Sequence, residues 1–390
     1  MPLDPFFAER LRTHRRYLLR QAWKSVTSAV AERMPRPARA PAADGVPGAV
    51  SATPAQPAAE SSAQLAAESS ARPAAESSAR PAADTAKPPA KRPLTPRERH
   101  RKAALSWDRQ ELRTVGTPGP PIATTEHRVP VPGYPDVRVR VYRPSTLVDG
   151  VPAPACLVLG GGAFRIGGID YPTADAACRR RAEASGVVLV AVDYSLAPEH
   201  RYPTQIEQAY AAWEWLHDEA DALGIDPERV GISGSSAGGN LAAVLTLMNR
   251  DRARLPVAVQ ILEVPVTDLT GRRIDLRATY ALGIPAFIAL RELVSVARTY
   301  LGDRTRARES YASPMRADSL ADLPPAVVLT AEYDPLRGDG TAYAARLRRA
   351  GVDASATRYL GVTHDTPIYV GALPAARRWE AEVVAALRRI

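Results

Sequence analysis

The stretch from Val230 to Asn240 constrains this chain more than any other. An apolar run, Val230-Gly231-Ile232-Ser233, leads into Gly234-Ser235-Ser236-Ala237-Gly238-Gly239-Asn240 and then into the helical run LAAVLTLMNR. This is G-x-S-x-G between a strand and a helix. A tight turn there holds the serine in a strained conformation, and glycines on either side let strand and helix approach closely. The N-terminus of the helix then lies beside the serine and favours negative charge that develops there.

The same alternation recurs along the chain. Short apolar runs at Cys156–Leu159, Val187–Val192, Val230–Ser233, Val257–Leu262 and Ala326–Leu329 are expected as strands. Helical stretches are expected near 172–185, 205–222, 236–249, 338–350 and 374–389. Short apolar strands alternating with helices make an α/β protein with a mostly parallel central sheet covered by helices on both faces. In such sheets ligand sites gather at the carboxyl ends of the strands.

A serine in this setting needs a base and an acid, in the chain order Ser, then Asp or Glu, then His. Of the six histidines only His364 follows Ser236, in the loop Gly361-Val362-Thr363-His364-Asp365 before the last helix. Asp268, Asp303, Asp318, Glu332, Asp334 and Asp339 lie between them. Asp334 is preferred because it directly follows AVVLTAEY, at a strand's carboxyl end. With Pro335 next it also reads as a helix N-cap, a role compatible with serving as the acid. Gly160-Gly161-Gly162, after the first strong strand, would let backbone N–H groups crowd against a substrate oxygen and join that of Ala237 in an oxyanion hole. A phosphate-binding loop is disfavoured by the absence of a following Lys-Ser/Thr.

Taken together these motifs resemble the hormone-sensitive-lipase-like branch of the α/β-hydrolase fold, marked by HGG[GA] and GDSAGG. Asp193-Tyr194-Ser195-Leu196-Ala197-Pro198-Glu199 is similar to that branch's DYRLAPE segment, and Tyr311-Ala312-Ser313-Pro314, Leu323-Pro324-Pro325 and Asp334-Pro335-Leu336-Arg337 follow in family order. The resemblance covers roughly residues 101–390. It implies Ser236, Asp334 and His364 as a catalytic triad, with Gly161, Gly162 and Ala237 as the oxyanion hole. It also implies a helical cap from about 97–115 and 270–302, the latter including Ile284-Pro285-Ala286-Phe287-Ile288. Two positions depart from the pattern: Gly160 stands for the usual His, expected to leave the oxyanion loop looser, and Ser235 for the usual Asp.

Ahead of the expected hydrolase domain, 97–390, the chain has a different character. Residues 1–30 form a candidate basic amphipathic helix, with Phe7, Leu11, Leu18, Ala22 and Val26 on one stripe and Arg10, Arg12, Arg15, Arg16, Arg20 and Lys24 mostly elsewhere. Such a helix either lies on an anionic membrane or docks on a partner, or is an ordinary solvated or cap-packing helix. Residues 31–96 are expected to be a disordered linker. The region 31–100 holds 12 prolines and no Phe, Trp or Tyr, and carries the octapeptide repeat AAESSAQL, AAESSARP, AAESSARP. A period that short without large apolar residues cannot stack into a solenoid.

The net charge of +9 divides unevenly, +7 over residues 1–100 (16 Lys+Arg, 9 Asp+Glu) and +2 over 101–390 (35 and 33). A nucleic-acid-binding fold would carry its charge on the folded body, so that class is set aside. Cys156 and Cys178 alone exclude a disulfide scaffold or a cysteine metal cluster. No apolar run nears the roughly 18–20 residues that span a bilayer. The N-terminus is broken by charge before a secretory h-region forms. The expectation is a cytoplasmic enzyme without metal or organic cofactor, acting on a small-molecule ester through an acyl-enzyme, with activity falling as an ordinary histidine protonates near pH 6.5. Amide or formamide cleavage at the same site, or recruitment through residues 1–30 with weak catalysis, are the alternatives.

Overall fold

The structure is a computed structural model, and it describes residues 2–11 and 93–390. Residues 12–30 of the expected head helix and nearly all of the expected linker lie outside the described residues. Residues 2–11 and 94–390 belong to one compact unit.

Eight strands build one sheet: β1 (Ala123–Val129), β2 (Val137–Arg143), β3 (Ala153–Leu159), β4 (Val188–Asp193), β5 (Ile225–Ser235), β6 (Gln260–Glu263), β7 (Ala326–Tyr333) and β8 (Ala354–Thr363). Their order is β1-β2-β4-β3-β5-β6-β7-β8. Strands β3 to β8 are parallel, while β1 and β2 add an antiparallel edge. The edge was not legible as apolar runs because β2 alternates. Val137, Val139 and Val141 are fully buried, while Arg138 and Arg140 turn outward to Glu126, Asp170 and Asp193. That alternation is the pattern of a strand wet on one face.

The central strands alternate too, but both faces are apolar. Leu157 and Leu159 of β3 enter one core with Val188, Val190 and Val192 of β4. Cys156, Leu189 and Ala191 enter the other. The first core is covered by helices α3 (Thr204–Asp218), α4 (Ala237–Asp251) and α7 (Arg337–Arg349), through Trp213, Leu241, Leu245 and Tyr343. The second is covered by α2 (Pro172–Ser185) and α8 (Pro374–Leu387), through Ala182, Trp379 and Val383. Helix α1 (Pro96–Thr114) opens on a capping box, in which Glu98 N–H donates to Thr95 Oγ1 at 3.2 Å and Thr95 N–H to Glu98 Oε2 at 2.6 Å. Between β6 and β7 lie α5 (Leu276–Ala281) and α6 (Ala286–Leu301). No helix among the described residues is long and apolar enough to cross a membrane.

From β3 the chain runs to β4 on one side, and then to β5 on the other. The carboxyl ends of β3 and β5 therefore lie side by side, Leu159 opposite Gly234, at the point where the winding reverses. A crevice forms at such a point.

Candidate active site

Ser236 sits between the last residue of β5 and the first of α4, with φ 55° and ψ −113°. A non-glycine residue held at positive φ is strained, and here its surroundings fix it. Its N–H donates to the Glu263 carbonyl at 2.8 Å, and its own carbonyl accepts from Asn240 N–H at 3.0 Å. Gly238 is required: a Cβ there would lie 1.9 Å from the Leu159 carbonyl oxygen, so any side chain would push α4 away from β3.

The structure brings three predicted residues together. His364, in the loop after β8, has Nε2 2.9 Å from Ser236 Oγ and Nδ1 2.8 Å from Asp334 Oδ2. Asp334 is buried at 1% exposure beyond the end of β7, and its other oxygen accepts the Leu336 N–H at 2.8 Å. The carboxylate thus orients the imidazole while capping its own turn. Burial works against a charged imidazole, but Asp334 beside it outweighs that effect, and the His364 pKa is pushed up to about 9. The expected ordinary value near 6.5 is replaced by an alkaline one.

The other candidate acids serve elsewhere. Asp268 pairs with Arg316 at 3.1 Å, Asp303 accepts from Thr305, and Glu332 accepts the Gly361 N–H at 2.7 Å. Asp318 is exposed. Asp339, 2% exposed, accepts the N–H groups of Thr267 (2.7 Å) and Asp268 (3.0 Å), and burial raises its pKa to about 7.

The glycine loop after β3 reaches the serine from the side. A Cβ on Gly161 would come within 3.4 Å of the Ser236 Cβ, so backbone and side chain are in contact there. Among the described residues the N–H groups of Gly161 and Gly162 donate to no protein acceptor. Ala237, first in α4, has no intrahelical acceptor for its own N–H. Gly162 has φ 137°, and a Cβ on it would lie 1.9 Å from the Ile166 carbonyl oxygen.

Sequence reasoning missed what holds this loop. Tyr194 donates its hydroxyl to the Gly160 carbonyl at 2.7 Å, and Ala197 N–H donates to the Phe164 carbonyl at 2.8 Å. Arg101 Nε donates to the Arg165 carbonyl at 3.0 Å. Phe164, itself at φ 58°, stacks on Tyr300 of α6 with ring centroids 3.8 Å apart. The signal was present in Asp193-Tyr194, at the end of β4, but not its direction. A Cβ at Gly160 would meet nothing within 4 Å, so the glycine there is not demanded by packing.

Ser236 and His364 face a cavity of about 840 Å³ that reaches under α6. A second space, about 400 Å³, opens on the other side between Trp107 of α1, the glycine loop and Ile368. A third, about 410 Å³, lies between α5, α6 and the N-terminal segment and also reaches His364. Residues 5–11 of that segment are helical. Phe7 is buried at 4% exposure against Tyr369, and Arg10 pairs with Glu111 of α1 at 2.5 Å.

A family model described as alpha/beta hydrolase fold matches residues 156–368. The chain belongs to the hormone-sensitive-lipase-like branch of that family. It is 36% identical over 290 residues to the carboxylesterase NlhH of Mycobacterium tuberculosis, covering 72% of this chain and 88% of that one. To the esterase LipI of the same organism it is 36% identical over 253 residues, 65% of this chain and 78% of the other. The solved structure of EstE1, a thermostable carboxylesterase from a metagenomic library, superimposes with a TM-score of 0.68 at 36% identity, over 75% of this chain and 97% of that one. As a member of this family the chain is a hydrolase of the carboxylesterase type.

Proposed function

We propose that this α/β hydrolase cleaves carboxylic esters with short- to medium-chain acyl groups, with Ser236 as nucleophile, His364 as base and Asp334 as the orienting acid. The observation that carries the reading is the position of His364, 2.9 Å from the serine hydroxyl on one side and 2.8 Å from a buried carboxylate on the other. Neutral His364 takes the proton of Ser236 as the hydroxyl attacks the ester carbonyl. The oxyanion forms against the N–H groups of Gly161, Gly162 and Ala237, those of the two glycines without another acceptor among the described residues. His364 then passes its proton to the departing alkoxide, and water repeats the sequence on the acyl-enzyme. The residues alone supply this chemistry.

Helices α1, α5 and α6 act as the cap over a domain spanning about 97–390. Their residues Trp107, Ile288 and Leu293 border the cavities at His364 and limit the access of water. The described part of the N-terminal segment packs with this cap and turns Phe7 inward, which supports the cap-packing reading of residues 1–30 over a role in membrane recruitment.

Hydrolysis of p-nitrophenyl esters from two to twelve carbons, comparing wild type with Ser236→Ala, tests the proposal, with p-nitroanilides run alongside. Ester turnover with an optimum at short or medium chains, abolished in Ser236→Ala, is the expected result. Turnover that survives in the variant would refute the serine's role, and faster cleavage of anilides would move the substrate class to amides.

A further inference from the structure

The 840 Å³ cavity beside Ser236 holds charged groups of both signs, and their pairing leaves a remainder. Arg316 Nε donates to Asp268 Oδ1 at 3.1 Å, and Arg165 pairs with Glu292. Asp334 is taken by His364, and Asp339 accepts two backbone N–H groups. Among the described residues these four are all the carboxylates that line the cavity. Arg272, Arg304 and Arg308 line it as well, and among the described residues none of the three forms an ion pair. Arg272 lies in the segment before α5, and Arg304 and Arg308 lie on the turn Arg304–Arg308 that follows α6. Of the two acids that flank that turn, Asp303 is engaged by Thr305 through its N–H at 2.9 Å and its hydroxyl at 2.6 Å, and Glu309 accepts from Arg306 at 3.1 Å and from the Tyr202 hydroxyl at 2.8 Å.

Three arginines from two separate segments thus line a cavity whose remaining wall is largely apolar, including Leu269, Ile274 and Leu293. A neutral alkyl chain gains from the apolar wall and nothing from these charges. A carboxylate gains from both, because a guanidinium fork matches its geometry with two parallel hydrogen bonds. Resting on the esterase reading above, we propose that this cavity receives the part of an ester substrate that ends in an anion, a carboxylate several bonds from the scissile carbonyl. Arg272, Arg304 and Arg308 are then its specificity residues. All three are exposed and solvated, so each adds modestly, and together they give a preference on the order of tenfold.

Two substrate pairs test this. In the first, p-nitrophenyl half-esters of dicarboxylic acids of six to ten carbons are compared with p-nitrophenyl esters of monocarboxylic acids of equal length. In the second, butyrate esters of ω-hydroxycarboxylic acids are compared with those of plain alcohols, followed by pH-stat. The expected result is a preference in kcat/KM for the anionic member, about tenfold, in the first pair if the acyl group enters this cavity and in the second if the alcohol does. The preference shrinks with added NaCl, is lost in the Arg304→Gln/Arg308→Gln double variant, and is partly kept in Arg304→Lys/Arg308→Lys. Circular dichroism and the urea midpoint of the same variants report that the fold is intact. No anionic preference in either pair, or one indifferent to salt and to both double variants, overturns the proposal while Ser236-dependent turnover of neutral esters keeps the esterase reading. Absence of Ser236-dependent turnover of any ester would remove both.

Discussion

The Tyr194 hydroxyl donates to the Gly160 carbonyl oxygen across 2.7 Å, tying the end of β4 to the glycine loop that passes beside Ser236. Burial keeps the phenol protonated, so the donor is permanent over the working pH range. In a family whose usual loop carries histidine at position 160, this bond gives the glycine version a fixed point. Tyr194→Phe removes the donor and little volume. Because the proposed oxyanion donors act only as negative charge develops, the expected effect is a fall in kcat, about tenfold, with KM changed less than twofold. Removing an oxyanion donor outright typically costs about 10²–10³, and this variant only loosens them. An unchanged kcat would show that Ala197, Arg101 and the Phe164–Tyr300 stack hold the loop without it.

In the proposed mechanism the Asp334–His364 contact sets the pH dependence. A base with a free-enzyme pKa near 9 is mostly protonated at pH 7, so kcat/KM is expected to climb from pH 6.5 to about 9 and level off above. Asp334→Asn removes the charge that raises the pKa. It should shift the limb to lower pH and cut kcat by about 10⁴, the cost of losing the aspartate from a Ser-His-Asp site. Stability moves oppositely. His364 gains in the folded state only as the cation, so its contribution is complete below pH 6.5 and is lost as pH rises to about 9. Thermal melts should therefore weaken across the window in which activity rises, and more steeply in wild type than in Asp334→Asn. A kcat/KM profile that is flat above pH 7 would contradict the raised value.

Much of this site was open to sequence reading because it rests on local chain chemistry. Ser236 needs its glycines within a few residues, and chain order singles out His364 and favours Asp334. What stayed hidden is non-local. Strands β1 and β2 read poorly because their apolar positions alternate with arginines that find partners only after folding. The loop's supports come from Tyr194, Arg101 and Tyr300, residues separated by up to 199 positions (300 − 101) and joined only by the topology. The raised pKa of His364 comes from the Asp334 carboxylate beside it, acting against the burial of the imidazole, and no spacing encodes that balance.

Beneath the site a buried ion cluster joins three elements. Arg181 of α2 donates to both oxygens of Glu263 at 2.7 and 2.9 Å, Trp379 of α8 donates to Glu263 Oε2 at 2.7 Å, and Arg181 also meets Glu380 at 3.1 Å. Glu263 is 2% exposed, and its carbonyl receives the Ser236 N–H. Arg181→Met leaves a desolvated carboxylate without its cation, and the expected loss is about 3–5 kcal/mol in urea unfolding. Arg181→Met/Glu263→Leu removes both charges, leaves the Arg180–Glu380 pair at 3.0 Å intact, and should destabilise less than the single change. A double variant less stable than the single one would argue that Glu263 contributes through Trp379 rather than through Arg181.

The N-terminal segment reaches the site through one aromatic residue. Tyr369, five positions after His364, carries Phe6 at 5.1 Å and Phe7 at 5.5 Å, both edge-on, with the Arg10 guanidinium 5.0 Å from its ring centroid. Arg10 also neutralises Glu111, whose side chain is only 4% exposed. Phe7→Ala removes buried aromatic area. The segment can detach without unfolding the sheet, however, so the cost is limited to its local opening free energy. The expected outcome is faster amide hydrogen exchange over residues 2–11 and 364–373, with the global urea midpoint altered by less than about 1 kcal/mol. Phe7 and Arg10 border the 410 Å³ space that reaches His364, so KM for esters should rise several-fold while kcat changes little. Arg10→Met should give the same exchange signature, since it strands the Glu111 carboxylate. Unchanged exchange over 364–373 in both variants would mean that Tyr369 is held by the hydrolase domain alone, and the segment would then have no part in shaping the site.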